Sequence, residues 1–199
     1  MPKKIILVRH GETDYNLERR MQGWLDIPLN ASGRSQAQVA ATKLQSVKID
    51  AIYTSDLKRA YETAQTIAEL VRQTLTSTPA LRERDMGIFA GWAWENEHDP
   101  VKDQLWQEFE EARNNEDLAW NKHGGESVGQ MSKRIKVFMQ SLHTHHSDQT
   151  IVVVTHGGTI NRILEQYQIK PAKEGFRAIT NASILTLHKH PKGYQLQEI

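Results

Sequence analysis

Two short apolar runs, each ending in His-Gly, constrain this chain more than any other feature. "ILVRHGETDYN" occupies residues 6–16, and "IVVVTHGGT" spans Ile151 to Thr159. A short continuous apolar run fits a strand in a sheet that is covered on both faces. His10 and His156 then stand where strands stop and loops begin. Behind His10 come a carboxylate, a hydroxyl and an amide. That company reads as chemistry rather than as packing.

The rest of the chain alternates. "SGRSQAQVAATKLQSV" (Ser32 to Val47) has helical spacing through Ala37, Ala40, Ala41 and Leu44, and "DAIYTS" is a second short strand. "DLKRAYETAQTIAELV" (Asp56 to Val71) carries Ala60, Ala64, Ile67, Ala68 and Val71 on one helical stripe. "LTSTP" is a weak third strand ended by Pro79. A long helix is expected over "ESVGQMSKRIKVFMQSLHTHH", with Val128, Met131, Ile135, Phe138 and Leu142 inward. "TIVVVT" is the strongest strand, with "GGTINRILEQY" as the helix behind it, and "SILTLHKHPKGYQLQEI" is a hairpin turning near Pro191 to Gly193. Strands alternating with helices predict an α/β fold. The expected form is a three-layer αβα arrangement, mostly parallel, with a C-terminal hairpin or edge strand.

Residues 85–125 break the alternation. They hold four of the five tryptophans (Trp92, Trp94, Trp106, Trp120) and ten acidic residues against three Lys or Arg. This is read as a small helical lid over one edge of the sheet, within a single domain of residues 1–199. Its tryptophans either form the lid's own core, or Trp92 or Trp94 lines a substrate mouth.

A net charge of +1 with no basic tail gives no reason to expect nucleic acid or an anionic membrane as partner. No apolar stretch approaches the ~20 residues of a membrane span. The start, "MPKKIILVRHG", has too short an apolar segment for a secretory signal and reads as a first buried strand. The chain has no cysteine, which removes disulfides, thiolate nucleophiles and zinc–thiolate sites, and fits a reducing cytoplasm.

In an open α/β sheet, ligands bind beyond the carboxyl ends of the strands. Arg9 and His10 lie at one such end, and His156, with Gly157 and Gly158, at another. Adjacent strands are ~4.8 Å apart, so the two imidazoles could face one small ligand. Glycines admit close backbone approach, and a helix N-terminus favours an anion. Arg9 contributes a guanidinium fork, and Arg59, in the first turn after "YTSD", can point to the same spot. Two Arg and two His imply a tetrahedral oxyanion, with phosphate the obvious candidate. One His would act as nucleophile. The other His and the arginines would stabilise the equatorial oxygens. A carboxylic acid must protonate the leaving oxygen. Glu83 in "LRERDMG" is placed for this, with Glu12 and Asp85 as rivals.

"RHGET" with Asn16, "SDLKRAYETA", "LRERDMG", "GGES" and "VVVTHGG", in that order over residues 7 to about 160, resemble the histidine phosphatase superfamily, most closely its phosphoglycerate-mutase-like branch. The resemblance implies His10 as the phosphorylated nucleophile. It implies Arg9, Arg59 and His156 as the phosphoryl clamp, and Glu83 as proton donor and later base. Asn16, Thr13, Gln22, Gly23 and Gly157 are the implied phosphate or substrate contacts. No metal and no cofactor are implied. The family's Gly-x-Trp-Glu-Gly-like segment here reads "GIFAGWAWENE", with Ile88, Phe89 and Ala90 displacing the usual pattern. That departure bears on the leaving-group pocket.

Other readings stand beside these. Arg59 could pair with Glu62 or Glu12 on the surface. Glu126 in "GGES" is expected to serve its helix N-terminus. "HTHHSD" resembles a metal tract but is expected to be a solvated helix end, with His188 and His190 exposed on the hairpin. A mutase needs extra basic residues over the site to hold a second anionic group, whereas this lid is acidic and the chain is shorter than the mutases it resembles. The expectation is therefore a metal-independent phosphomonoesterase. Its substrate would be a sugar phosphate, a nucleoside-like phosphate such as α-ribazole phosphate, or an aryl phosphate. A phosphoglycerate mutase and a silent phosphate-binding module are the alternatives. The expected partner is a small phosphate monoester, with a homodimer as the assembly allowed for.

Overall fold

The structure is a computed structural model that describes residues 1–93, 95, 98–169, 179–191 and 193–198. At its centre, β1 (Lys4–Arg9) pairs in parallel with β4 (Thr150–Thr155), from Lys4 opposite Thr150 to Arg9 opposite Thr155. All eight aliphatic side chains from Ile5 to Val8 and Ile151 to Val154 are buried. Burying each contributes about 1.5–3 kcal/mol before the entropy cost. Alternation sends Ile5, Leu7, Ile151 and Val153 to one face and Ile6, Val8, Val152 and Val154 to the other. An apolar run without polar gaps is therefore what this position in the sheet demands.

β2 (Ala51–Ser55) flanks β4 in parallel, and β3 (Leu75–Thr78) flanks β2 in parallel. On the far side of β1, β5 (Ile184–His190) and β6 (Gly193–Glu198) run antiparallel as a hairpin, giving the order β3-β2-β4-β1-β5-β6. The chain leaving β1 travels past β4 to reach β2. The chain leaving β4 travels past β1 to reach β5. Connections thus diverge between β1 and β4, which opens a crevice at their carboxyl ends.

Helices α2 (Ala31–Leu44) and α3 (Lys58–Val71) cover one face, packing Ala41, Leu44, Ala64, Ile67 and Ala68 on the sheet. Helices α5 (Val128–His145) and α6 (Gly157–Gln166) cover the other, through Met131, Ile135, Met139, Leu142, Ile160 and Ile163. The expected αβα layers and C-terminal hairpin are present. Helix starts differ from expectation for local reasons. α3 begins at Lys58 rather than Asp56, because Leu57 is extended and the Asp56 carboxylate is taken by Arg82. α5 begins at Val128, since Ser127 is its cap and exchanges bonds with Gln130. The polar loop behind His10 contains a helical turn, α1 (Asp14–Leu17), closed by a reciprocal Thr13–Asn16 capping box.

In the 85–125 segment, a 3₁₀ turn (Gly87–Phe89) precedes α4 (Pro100–Asn114). Phe89 stacks on Trp92 at 5.5 Å, Trp106 meets Phe109 at 4.9 Å, and Trp120 stacks on His123 at 5.2 Å between ring centroids. Trp92 is only 3% exposed. These rings form the segment's own core, which overturns the mouth-lining reading for Trp92; Trp94 lies outside the described residues. No helix among the described residues is long and apolar enough to cross a membrane.

Candidate active site

The β1–β4 register decides the site. Arg9 is opposite Thr155, so the next pair along the ladder is His10 and His156. His10 N–H donates to Thr155 O at 2.9 Å, carrying the pairing one step past the strand. Equal parity puts both side chains on one face. Their ring centroids are 5.2 Å apart with an interplanar angle of 60°.

His10 is 3% exposed, and its Nδ1 lies 2.6 Å from Gly11 O. A carbonyl oxygen only accepts, so Nδ1 carries the proton and Nε2 keeps its lone pair. Burial, then the charges of Arg59 and Arg9, hold the imidazole well below its ordinary pKa. A neutral ring with a bare Nε2 has the form a nucleophile requires. Burial and the Arg59 charge depress His156 in the same direction.

Arg59 is 1% exposed and donates Nη1 to Leu25 O (2.7 Å) and Nη2 to Gly23 O (2.8 Å). Burial pushes it down to about 10, which leaves it charged at neutral pH. It does not pair with Glu62 or Glu12. Glu62 accepts from Leu29 N, and Glu12 from Asn30 Nδ2. Arg9 donates Nη1 to Ile179 O. Gly23 supports Arg59 through its carbonyl, at φ +49, where a Cβ would also meet Met86 N at 2.9 Å.

Several buried polar atoms at this spot have no partner among the described residues: Arg9 Nε, Arg59 Nε and both ring nitrogens of His156. Gln22 Oε1, next to Gly23 in the chain, is likewise buried without a partner among them. Buried polar groups are normally satisfied, so a cluster of orphans marks a ligand position. Gly157 opens α6 beside Arg9, adding the positive end of a helix. Two guanidinium groups, an imidazole and a helix N-terminus around one point suit a tetrahedral oxyanion.

Thr13 and Asn16 are joined to each other. Asn16 Oδ1 accepts from Thr13 N–H (3.2 Å) and Thr13 Oγ1 (3.1 Å). The Glu83 carboxylate sits at the start of α6, taking Gly158 N–H on Oε2 and Arg84 N–H on Oε1, both at 2.9 Å. Among the rivals, Asp85 is committed to Gly87 N–H and Glu12 to Asn30.

A strap of four consecutive carbonyls fixes the Glu83 segment. Arg134 Nη1 holds Ala80 O, Thr155 Oγ1 holds Leu81 O, and Thr159 Oγ1 holds Arg82 O. Glu83 O receives Arg134 Nη2 (2.9 Å) and Trp24 Nε1 (2.7 Å). Glu126 grips Arg134 with both oxygens at 2.7 Å. This corrects the expectation for Glu126: its carboxylate holds the strap's arginine, and Ser127 caps the helix. Trp24, 38% exposed with Arg82 stacked at 4.8 Å, is an aromatic beside Glu83 that sequence reading missed. It was the one tryptophan outside the 85–125 segment. Asn181 and Arg134 were also missed; no local motif announces them.

"HTHHSD" gathers no common ligand. His143 pairs with the Tyr167 hydroxyl, His146 with Tyr53 and Gln149, and His145 with Ser141. Among the described residues, no cluster of His, Asp or Glu has the arrangement to hold a metal.

The histidine phosphatase superfamily (branch 1) profile matches residues 5–199. Phosphoglycerate mutase-like protein 4 of Arabidopsis thaliana is 38% identical over 183 residues, 91% of this chain and 77% of that protein. Phosphoserine phosphatase 1 of Hydrogenobacter thermophilus is 35% identical over 153 residues, 77% of this chain and 70% of that protein. Among solved structures, mycobacterial glucosyl-3-phosphoglycerate phosphatase in complex with VO3 superimposes with a TM-score of 0.74 at 28% identity, covering 98% of this chain and 96% of that one. By profile, relatives and fold, this chain belongs to the histidine phosphatase superfamily, branch 1.

Proposed function

We propose that this chain is a metal-independent phosphomonoesterase that hydrolyses small phosphorylated metabolites through a phosphohistidine on His10. The cluster of buried groups around the His10–His156 pair that have no partner among the described residues carries this reading. His10 Nε2 attacks phosphorus while the bond to the leaving oxygen breaks, and Glu83 delivers its proton to that oxygen. Arg9, Arg59 and His156 hold the equatorial oxygens. Water then attacks the phosphohistidine as Glu83 removes its proton. Inorganic phosphate leaves and His10 is restored. Asn16 and Gln22 contact the phosphoryl or leaving group. Gly157 supplies the helix terminus, and Thr13 and Gly23 support Asn16 and Arg59.

Hydrolysis is favoured over mutase exchange by what the lid does with its cations. Lys122 pairs with Glu108, Arg113 with Glu110, and Lys102 lies 5.9 Å from the Trp92 ring centre. Each has a partner within the 85–125 segment. The relatives named as phosphoserine and glucosyl-3-phosphoglycerate phosphatases support the same choice. Residues 1–199 are taken as one domain with this segment as its lid, working in the reducing cytoplasm that a cysteine-free chain suits.

The test pairs phosphate release from aryl and metabolite monoesters, in excess chelator, with bisphosphate-stimulated exchange between 2- and 3-phosphoglycerate. Release that survives chelation and vanishes in His10→Ala is expected, with acid-labile label on the wild-type protein. Exchange far exceeding release would make it a mutase. No turnover between pH 5 and 9 would make it a binding module.

A further inference from the structure

The turn entering β5, residues 179–183, grips the loop that carries His10. Arg9 N–H donates to Ser183 O at 3.1 Å, Ala182 N–H donates to His10 O at 3.1 Å, and Arg9 Nη1 donates to Ile179 O. Between these, Asn181 Nδ2 reaches three oxygens: His10 O (3.1 Å), Asn16 Oδ1 (3.2 Å) and Gly11 O (3.3 Å). All three are acceptors in this setting. Only the amide nitrogen can face them; a flipped amide would oppose oxygen to oxygen. Ala182 holds the turn at φ +56, a left-handed conformation alanine seldom adopts, which persists where surrounding contacts over-determine it.

None of the three oxygens depends on Asn181 for satisfaction. His10 O also accepts from Ala182 N–H, Gly11 O from His10 Nδ1, and Asn16 Oδ1 from both Thr13 donors. What the amide adds is a link. Gly11 O is the acceptor that keeps the proton on His10 Nδ1. Asn16 Oδ1, once filled by three donors, leaves the Asn16 Nδ2 hydrogens as the free end of that side chain.

We infer that Asn181 is a positioning residue that locks nucleophile and clamp together: through Gly11 O it holds the His10 tautomer, and through Asn16 Oδ1 it sets the Asn16 amide to donate to the phosphoryl group. This rests on the reading of His10 as nucleophile. The residue lies 171 positions from His10 in sequence and touches it only through the backbone.

Two substitutions test it, read by kcat and KM on p-nitrophenyl phosphate, inhibition by orthovanadate, and ¹⁵N NMR of the His10 ring. N181A removes the donors without orphaning an acceptor, so it is expected to fold and to lower kcat about 10-fold with weaker vanadate inhibition. N181D keeps the shape but sets a carboxylate against three oxygens, so it is expected to fall about 100-fold. The His10 ring in N181A should show a mixture of Nδ1–H and Nε2–H forms where the wild type shows Nδ1–H. N181D within twofold of wild type in kcat and vanadate inhibition overturns the inference. So do equal losses in both variants with the His10 tautomer unchanged, which mark a purely structural role. If N181D does not fold, N181A with its NMR signature decides alone. His10→Ala is the separate control: its retained activity would remove the nucleophile reading itself, whatever Asn181 does.

Discussion

Gly158 N–H donates to Glu83 Oε2 at 2.9 Å, and a Cβ on residue 158 would overlap that same carboxylate. The absence of a side chain at 158 is what lets Glu83 sit against the start of α6, beside His156. The carboxylate proposed as proton donor is thus positioned by a residue 75 places away in sequence.

Gly158→Ala is therefore expected to displace Glu83 and mimic its loss. General acid catalysis contributes about 10²–10⁴-fold, so both Gly158→Ala and Glu83→Gln should lower kcat by about 100-fold for alkyl phosphates. Nitrophenyl phosphate, whose leaving group departs without a proton, should slow far less. A leaving-group series measures this, and equal slowing across the series removes Glu83 from the donor role.

The two imidazoles of the candidate site make stability depend on pH, and the direction follows from their burial. Burial and arginine charge keep His10 and His156 neutral in the folded protein, well below the ordinary histidine range. The unfolded chain protonates first, at about pH 6.5, so stability is full above that pH and declines below it. Each histidine costs about 1.4 kcal/mol per pH unit in that window, approaching about 2.7 kcal/mol for the pair. His123, His143 and His188, also lowered by burial, add to the slope in the same direction. Urea midpoints between pH 7 and 5 should show at least the slope of the pair, reduced by His156's own share, about 1.4 kcal/mol per pH unit, in His156→Gln. A flat profile would mean the imidazoles are charged in the fold. In kcat/KM, which reports the free enzyme, the acid limb should fall below pH 6.5. A phosphate dianion alone would have placed it higher.

Trp24 holds Glu83 O by its indole N–H and carries Arg82 on its half-exposed ring, and two variants separate these. Trp24→Phe keeps a ring for Arg82 to stack on but drops the bond to Glu83 O. It should lower kcat by about 10-fold with KM little changed. Trp24→Ala should additionally raise KM for aryl phosphates. Steady-state constants on aryl and alkyl substrates make the comparison; a KM effect alone in Trp24→Phe argues against the anchoring bond.

Arg134 joins the Glu126 carboxylate to the carbonyls of Ala80 and Glu83. Both partners are largely buried, with side chains 19% and 11% exposed. Arg134→Met leaves a carboxylate and two carbonyls short of donors and should cost about 2–4 kcal/mol. Arg134→Met/Glu126→Gln should recover part of that. Denaturant midpoints with unchanged slope are the check.

How much of this was readable from the chain varies residue by residue. His10 and His156 were legible because an uninterrupted apolar run in this setting means a buried parallel strand, and the polar residue ending it must lie at the sheet's edge. Arg9, Arg59 and Glu83 were legible through their places in ordered motifs. The capping box at Thr13–Asn16 lay unread inside what looked like loop, and Glu126 was given to a helix end when Arg134 already held it. Trp24 stands alone in sequence, apart from the four clustered tryptophans, and no local pattern ties it to Glu83, 59 residues on.

By itself, the order of residues determined the layers, the central strands and the chemical identity of the groups at their ends. Periodicity and burial are local properties, and they act on every residue of a run at once. Tertiary structure alone decided which groups hold those of the candidate site in place. Asn181 meets Gly11 O, Trp24 meets Glu83 O, and Gly158 yields room to a carboxylate. Such contacts turn on a few tenths of an ångström between segments 50 to 170 residues apart, a precision that no local preference encodes.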